Sequence, residues 1–164
     1  MKKLPEYLYH YTSAVQMQWI VEDQLLKTTV SNLKFPVGPT RYEPIVRNGE
    51  IVGQRVANEY ANYHPVVWLT ANDKAIAEES GLHEAKLEAR FVIPTDKLRF
   101  HILRWTDFTD KYHSAPYVIR ALKSGNGADW KNWYVCEIPI PLDCVERIEI
   151  RTEDGTYIPI PVSC

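Results

Sequence analysis

Cysteine is scarce in this chain: Cys136, Cys144 and Cys164 are odd in number and contain no C-x-x-C pair. That argues against a disulfide framework and against a thiolate zinc site, and the three read as reduced structural thiols. Long apolar runs are missing as well. Nothing approaches the roughly 20 apolar residues of a membrane span, and the opening MKKLPEYLYHYT carries no secretory apolar core. The expectation is a cytoplasmic protein with no membrane partner. An excess of one charge is also absent, and a net charge of −2 leaves no general footprint for a polyanion. Neither G-x-G-x-x-G nor a G-K-[ST] phosphate loop occurs, which counts against a doubly wound nucleotide fold. Serine and cysteine nucleophile motifs are lacking. His64, His83, His101 and His113 show no H-E-x-x-H spacing, so no metal is expected.

What is present is ordinary globular material. Hydrophobic residues make up 45% and charged residues 24% of 164 positions, which fits one domain over residues 1–164 and excludes disorder. Five tryptophans and ten tyrosines are the unusual component, able to line a pocket or fill a core. Tyr7 to Thr12 reads as a strand, and Ser13 followed by Gln16 is a capping signature opening a helix with Val15, Trp19 and Val21. Asp23 to Val30 reads as a second strand through Leu25 and Leu26. Lys34 to Glu50, rich in proline and glycine, reads as an irregular excursion, and Ile51 to Tyr63 as a weak helix through Val52, Val56 and Tyr60. Val66 to Thr70 is a strand that runs into a helix over Asn72 to Ser80. Leu87 to Ile93 and Leu98 to Leu103 are further strands, and Ser114 to Gly125 holds a helix. Trp133 to Ile138, Val145 to Ile150 and Thr156 to Ile160 close the chain as strands, the last two joined through Asp154-Gly155. The fold class expected is α+β, with a small, mostly antiparallel sheet system and flanking helices.

Three short segments carry the chemistry. In Leu8-Tyr9-His10-Tyr11-Thr12, period-two alternation puts His10 and Thr12 on one strand face and the tyrosines on the other. Val67-Trp68-Leu69-Thr70-Ala71-Asn72 places a large aromatic on a strand that feeds a helix. Asn132 stands at the head of Trp133-Tyr134-Val135-Cys136-Glu137, which is followed by Ile138-Pro139. Taken singly, His10 reads equally well as a satisfied strand-end histidine and Trp68 as a core tryptophan.

In this order the three segments resemble the motifs of the ADP-ribosyltransferase superfamily, which is built on a histidine strand, an aromatic strand and a strand headed by glutamate. The resemblance implies a split, mostly antiparallel sheet with NAD, as substrate, held bent in a cleft. It implies that His10 contacts a ribose hydroxyl with help from the Tyr11 backbone and Thr12, and that Trp68 stacks on nicotinamide. Asn132 stands where the family has its catalytic glutamate, a departure that removes a charge. Glu137 falls on the opposite strand face, whereas Asp129 can reach in from the preceding loop. Arg41 and Arg47 are candidates for the pyrophosphate, with solvated surface positions as their plainer reading, and Trp130 is a candidate for acceptor contact. The function implied is transfer of ADP-ribose to a macromolecular acceptor, protein or nucleic acid. A catalytically silent NAD- or ADP-ribose-binding domain and an NAD-using RNA 2′-phosphotransferase are the alternatives.

Overall fold

Ser13 sets the first joint of the fold. In a computed structural model of the chain, which describes residues 3–29, 42–56, 65–77, 82–111, 120, 123 and 127–161, strand β1 (Tyr7–Thr12) leads into helix α1 (Ala14–Asp23). The Ser13 hydroxyl accepts the Gln16 N–H at 3.2 Å, satisfying a first-turn donor that would otherwise lack a partner. Ser13→Ala is therefore expected to cost about 1 kcal/mol and to lower the melting temperature by roughly 2–4 °C, measured by thermal denaturation.

The helix returns into a two-residue strand, β2 (Leu25–Leu26), shorter than the expected Asp23–Val30 because the helix runs on through Asp23. Strands β3 (Tyr42–Arg47) and β4 (Glu50–Val56) then form a separate hairpin, which corrects the expected irregular stretch and weak helix. The hairpin turn is Asn48-Gly49, with φ of 52° and 81°, the two left-handed positions that a tight hairpin of this hand requires. Pro44 is tolerated because a two-stranded hairpin leaves each strand an open edge. The remainder of both expected segments, residues 34–41 and 57–63, lies outside the described residues.

A seven-stranded sheet carries the rest. In addition to β1 it contains β5 (Val67–Thr70), β6 (Ala89–Pro94), β7 (Ile102–Arg104), β8 (Trp133–Cys136), β10 (Arg147–Arg151) and β11 (Tyr157–Ile160), while β9 (Ile140–Pro141) pairs with β2. The order is β11-β10-β6-β1-β5-β8-β7, and all neighbours are antiparallel. Helix α2 (Trp105–Lys111) follows β7 directly; sequence periodicity did not suggest it, although Trp105, Phe108 and Thr109 are buried at helical spacing. Only Ile102 onward of the expected Leu98–Leu103 strand is extended, because Arg99–His101 forms a 3₁₀ turn. Residues 72–76 are a turn and irregular chain rather than the start of the helix expected over Asn72–Ser80, and Ala77 is helical; residues 78–81 lie outside the described set, as does most of Ser114–Gly125. The fold is α+β, with a mostly antiparallel core, as expected.

The sheet is continuous on one side and nearly interrupted on the other. β1 and β6 pair through six positions, from Tyr7↔Pro94 to Thr12↔Ala89. β1 and β5 share only Tyr9↔Thr70, so the two half-sheets diverge there. One face packs Leu8, Leu69, Phe91 and Ile148 against Met17, Ile20 and Val21 of α1. The other packs Trp133 and Val135 against Trp105 and Phe108 of α2.

Candidate functional site

At the point where β1 leaves β5, the ladder no longer supplies a donor for the Trp68 carbonyl. The His10 ring supplies it, with Nδ1 2.8 Å from that oxygen. A carbonyl only accepts, so Nδ1 carries the proton and Nε2 presents a lone pair. Nε2 has no hydrogen-bond partner among the described residues. Burial lowers the His10 pKa from 6.5 and the nearby Lys86 ammonium lowers it further, against the Trp68 carbonyl, which raises it. The imidazole is thus neutral at pH 7, an acceptor at Nε2.

Tyr11 makes the second tie across the opening. Its hydroxyl donates to the Asn72 carbonyl at 2.8 Å, and burial pushes its pKa upward, keeping it a donor. The Asn72 side chain is fixed in turn, since its amide donates to Asp129 Oδ1 at 3.0 Å and its carbonyl oxygen accepts the Lys74 N–H at 2.9 Å. The Asn132 amide donates to the same Asp129 oxygen at 2.8 Å, and the Asn132 carbonyl accepts the Ala71 N–H at 2.8 Å. Asp129 is only 5% exposed. Its Oδ2, like the buried Trp133 Nε1, has no hydrogen-bond partner among the described residues. A buried carboxylate oxygen without a donor is costly to hold.

The segments that carry His10, Trp68 and Asn132 therefore meet, joined by His10–Trp68, Tyr11–Asn72 and the two asparagine bonds to Asp129. Trp68 meets His10 through its backbone. By register its indole belongs to the Tyr9 and Thr70 face, opposite the His10 ring, where it lies half-buried with its edge toward Trp133, 5.9 Å between centroids. Thr12 is buried and donates to Gln16 Oε1 at 3.0 Å. Arg41 lies outside the described residues. Arg47 is committed elsewhere, bonded to Asp23 and Glu22 and stacked 5.3 Å from the Trp19 ring. The Trp130 carbonyl accepts the Trp105 indole N–H at 2.7 Å, and Lys123 lies over its ring. Glu137 pairs with Lys111 at 3.1 Å, away from Asn132.

Sequence reasoning placed Asp129 as an accessory to Asn132 and gave Asn72 no role. Asn132, three residues from Asp129, is within local reach of its carboxyl, whereas Asn72 is 57 residues away and carried no local signal, being brought there by the fold. Among the described residues no group of three or more His, Cys, Asp or Glu is placed to hold a metal, and no helix is long and apolar enough to cross a membrane. No protein-family profile, curated protein or solved structure matches the chain.

Proposed function

We propose that this protein binds NAD at the opening between β1 and β5 and transfers its ADP-ribose to a macromolecular acceptor, in the manner of the ADP-ribosyltransferases that its motifs resemble. The observation that carries this reading is the junction itself. The three motif segments converge there, with an acceptor nitrogen on His10 and an unpartnered carboxylate oxygen on Asp129.

His10 Nε2 suits a ribose hydroxyl, a donor. Asp129 Oδ2 accepts the nicotinamide-ribose 2′-hydroxyl and faces the positive charge that develops on the sugar. The bond from C1′ to the nicotinamide nitrogen breaks and its electron pair leaves with neutral nicotinamide. An acceptor lone pair forms the new bond to C1′, and the acceptor releases a proton. Charge stabilisation confined to the transition state raises the rate without tightening ground-state binding. Asn132 and Asn72 act through Asp129 as positioning residues, so the missing glutamate charge is replaced from three residues upstream. The Trp68 ring lies on the sheet face opposite the His10 ring, so its part in the site is the backbone carbonyl that orients His10.

Calorimetry with the full chain tests the reading. Wild type is expected to bind NAD, and His10→Ala to weaken binding at least about tenfold, the value of one hydrogen bond of roughly 1.4 kcal/mol. Affinity is expected to hold as the pH falls to 6.5 and to decline below it, as His10 gains a proton and Nε2 stops accepting. Absence of both heat and thermal shift at millimolar NAD, with folded protein, overturns the assignment. Binding without nicotinamide release in the presence of host-cell lysate favours a silent NAD-binding domain, the reading that Asn132 supports.

A further inference from the structure

Lys86 is the cation of this region that the described residues leave without an acid. It stands in the 3₁₀ turn Glu84–Leu87, which packs against β1. Its ammonium is half-buried and donates to Gln16 Oε1 at 2.6 Å, a neutral oxygen that also accepts the Thr12 hydroxyl at 3.0 Å. No carboxylate among the described residues lies within 4.0 Å of it. The neighbouring acids are engaged elsewhere: Glu84 with Arg151 at 2.7 Å, and Glu88 with the Ala14 N–H at 3.3 Å. Removing a charge from water without a counter-charge is unfavourable, and the desolvation lowers the Lys86 pKa. Thr12, whose hydroxyl shares the Gln16 oxygen with Lys86, lies on the same face of β1 as His10, two residues away.

We infer that Lys86, with Thr12 and Gln16 behind it, is an anion subsite for the diphosphate of a dinucleotide whose ribose is held by His10. This rests on the NAD reading for the identity of the ligand but not for the presence of the site. The first turn of α1 is not enough to hold the anion, because its Ala14 and Gln16 N–H groups already have acceptors in Glu88 and Ser13. The ammonium supplies the charge, and Gln16 fixes its direction. A diphosphate suits a compact, strongly hydrated cation, which binds phosphate as a point charge. The ligand is thereby oriented with its phosphates over the β1–α1 joint and its ribose at His10. Lys86 takes the role that sequence reading offered to Arg47, which is paired with Asp23 and Glu22.

The test is calorimetry of wild type, Lys86→Ala and Lys86→Arg with inorganic pyrophosphate, ADP, adenosine and NAD. Wild type is expected to bind all except adenosine measurably. Lys86→Ala is expected to weaken pyrophosphate, ADP and NAD about tenfold, the value of one charge-assisted contact, and Lys86→Arg to restore most of the loss. Binding is expected to weaken as salt is raised. The unliganded melting temperature of Lys86→Ala is expected to match or exceed wild type, since an uncompensated charge has been removed; a merely structural lysine predicts a fall. Unchanged affinity for pyrophosphate, ADP and NAD in a folded Lys86→Ala overturns the subsite and leaves the NAD reading standing. Lys86-dependent binding of pyrophosphate and ADP without NAD binding sinks the NAD reading and leaves the subsite. Binding of none of these anions by the wild type overturns both.

Discussion

Asp129→Ala is expected to reduce NAD turnover by about 10²–10³, the usual loss when one preorganised stabiliser of transition-state charge is removed, and to weaken NAD binding by about tenfold, the value of its hydrogen bond to the ribose. The asymmetry between Asp129 and its neighbours makes the expectation specific. Oδ1 is held by Asn72 and Asn132, at 3.0 and 2.8 Å, and Oδ2 is held by nothing among the described residues. Asn132→Ala removes one of two donors and leaves the charge, so its effect is expected to be milder, about tenfold and mainly in kcat, through a carboxylate that is less well aimed. Asp129→Asn preserves size and removes charge, and is expected to be nearly as damaging as alanine. These three variants separate a charge from a shape. Full activity in a folded Asp129→Asn, or a larger loss in Asn132→Ala than in Asp129→Ala, shows that Asp129 is not the acid. Asn132→Glu places a second carboxylate beside a buried one, and like-charge repulsion there is expected to hinder folding rather than raise the rate.

The parts of the fold that could be read from the sequence are those in which a local signal and the tertiary structure agree. Ser13 caps α1, and Gly155, at φ 87°, turns β10 into β11. Where the two compete, sequence reading fails. Val52, Val56 and Tyr60 at spacing four suggested a helix, but Asn48-Gly49 makes the turn of a hairpin, and its conformational demand outweighs weak periodicity. Helix α2 was hidden by two β-branched threonines and two aspartates in WTDFTDK, and it is held by burial of Trp105 and Phe108 rather than by propensity. At the site, the alternation that put His10 and Thr12 on one face of β1 matches the observed register. The same register sets the Trp68 ring on the other face, which required knowledge of the β1–β5 pairing. Lys86 carried no sequence signal at all, since the lack of a carboxylate beside its ammonium among the described residues is a property of the tertiary fold.

Arg90→Leu is expected to destabilise the protein by about 3–5 kcal/mol, the cost of leaving one member of a buried pair alone, and to lower the melting temperature by roughly 10 °C. Arg90 and Glu149 are 8% and 6% exposed and bonded at 2.7 Å between Nε and Oε1. The guanidinium also donates to the Tyr11 hydroxyl at 3.2 Å and the Asp73 carbonyl at 2.6 Å. It stacks 4.0 Å from the Tyr157 ring and 4.8 Å from the Tyr9 ring. Removing it strips Glu149 of its buried partner, leaving Arg147 at 3.1 Å, and loosens the Tyr11 hydroxyl that ties β1 to Asn72. Replacing Arg90 and Glu149 together by leucine removes both charges, and the double variant is expected to recover most of the loss. The pH dependence separates the two. Burial raises the Glu149 pKa, but hydrogen bonds from Arg90 and Arg147 lower it further, to below 4.5. A folded value below the unfolded one makes the contribution complete above about pH 5 and lost as the pH falls through the depressed value. Urea titrations are expected to show wild type losing more stability than the double leucine variant between about pH 5 and 3. A loss below about 1 kcal/mol in Arg90→Leu, or parallel acid profiles for wild type and double variant, shows that the pair is not what joins β6 and β10 to the tyrosines of β1.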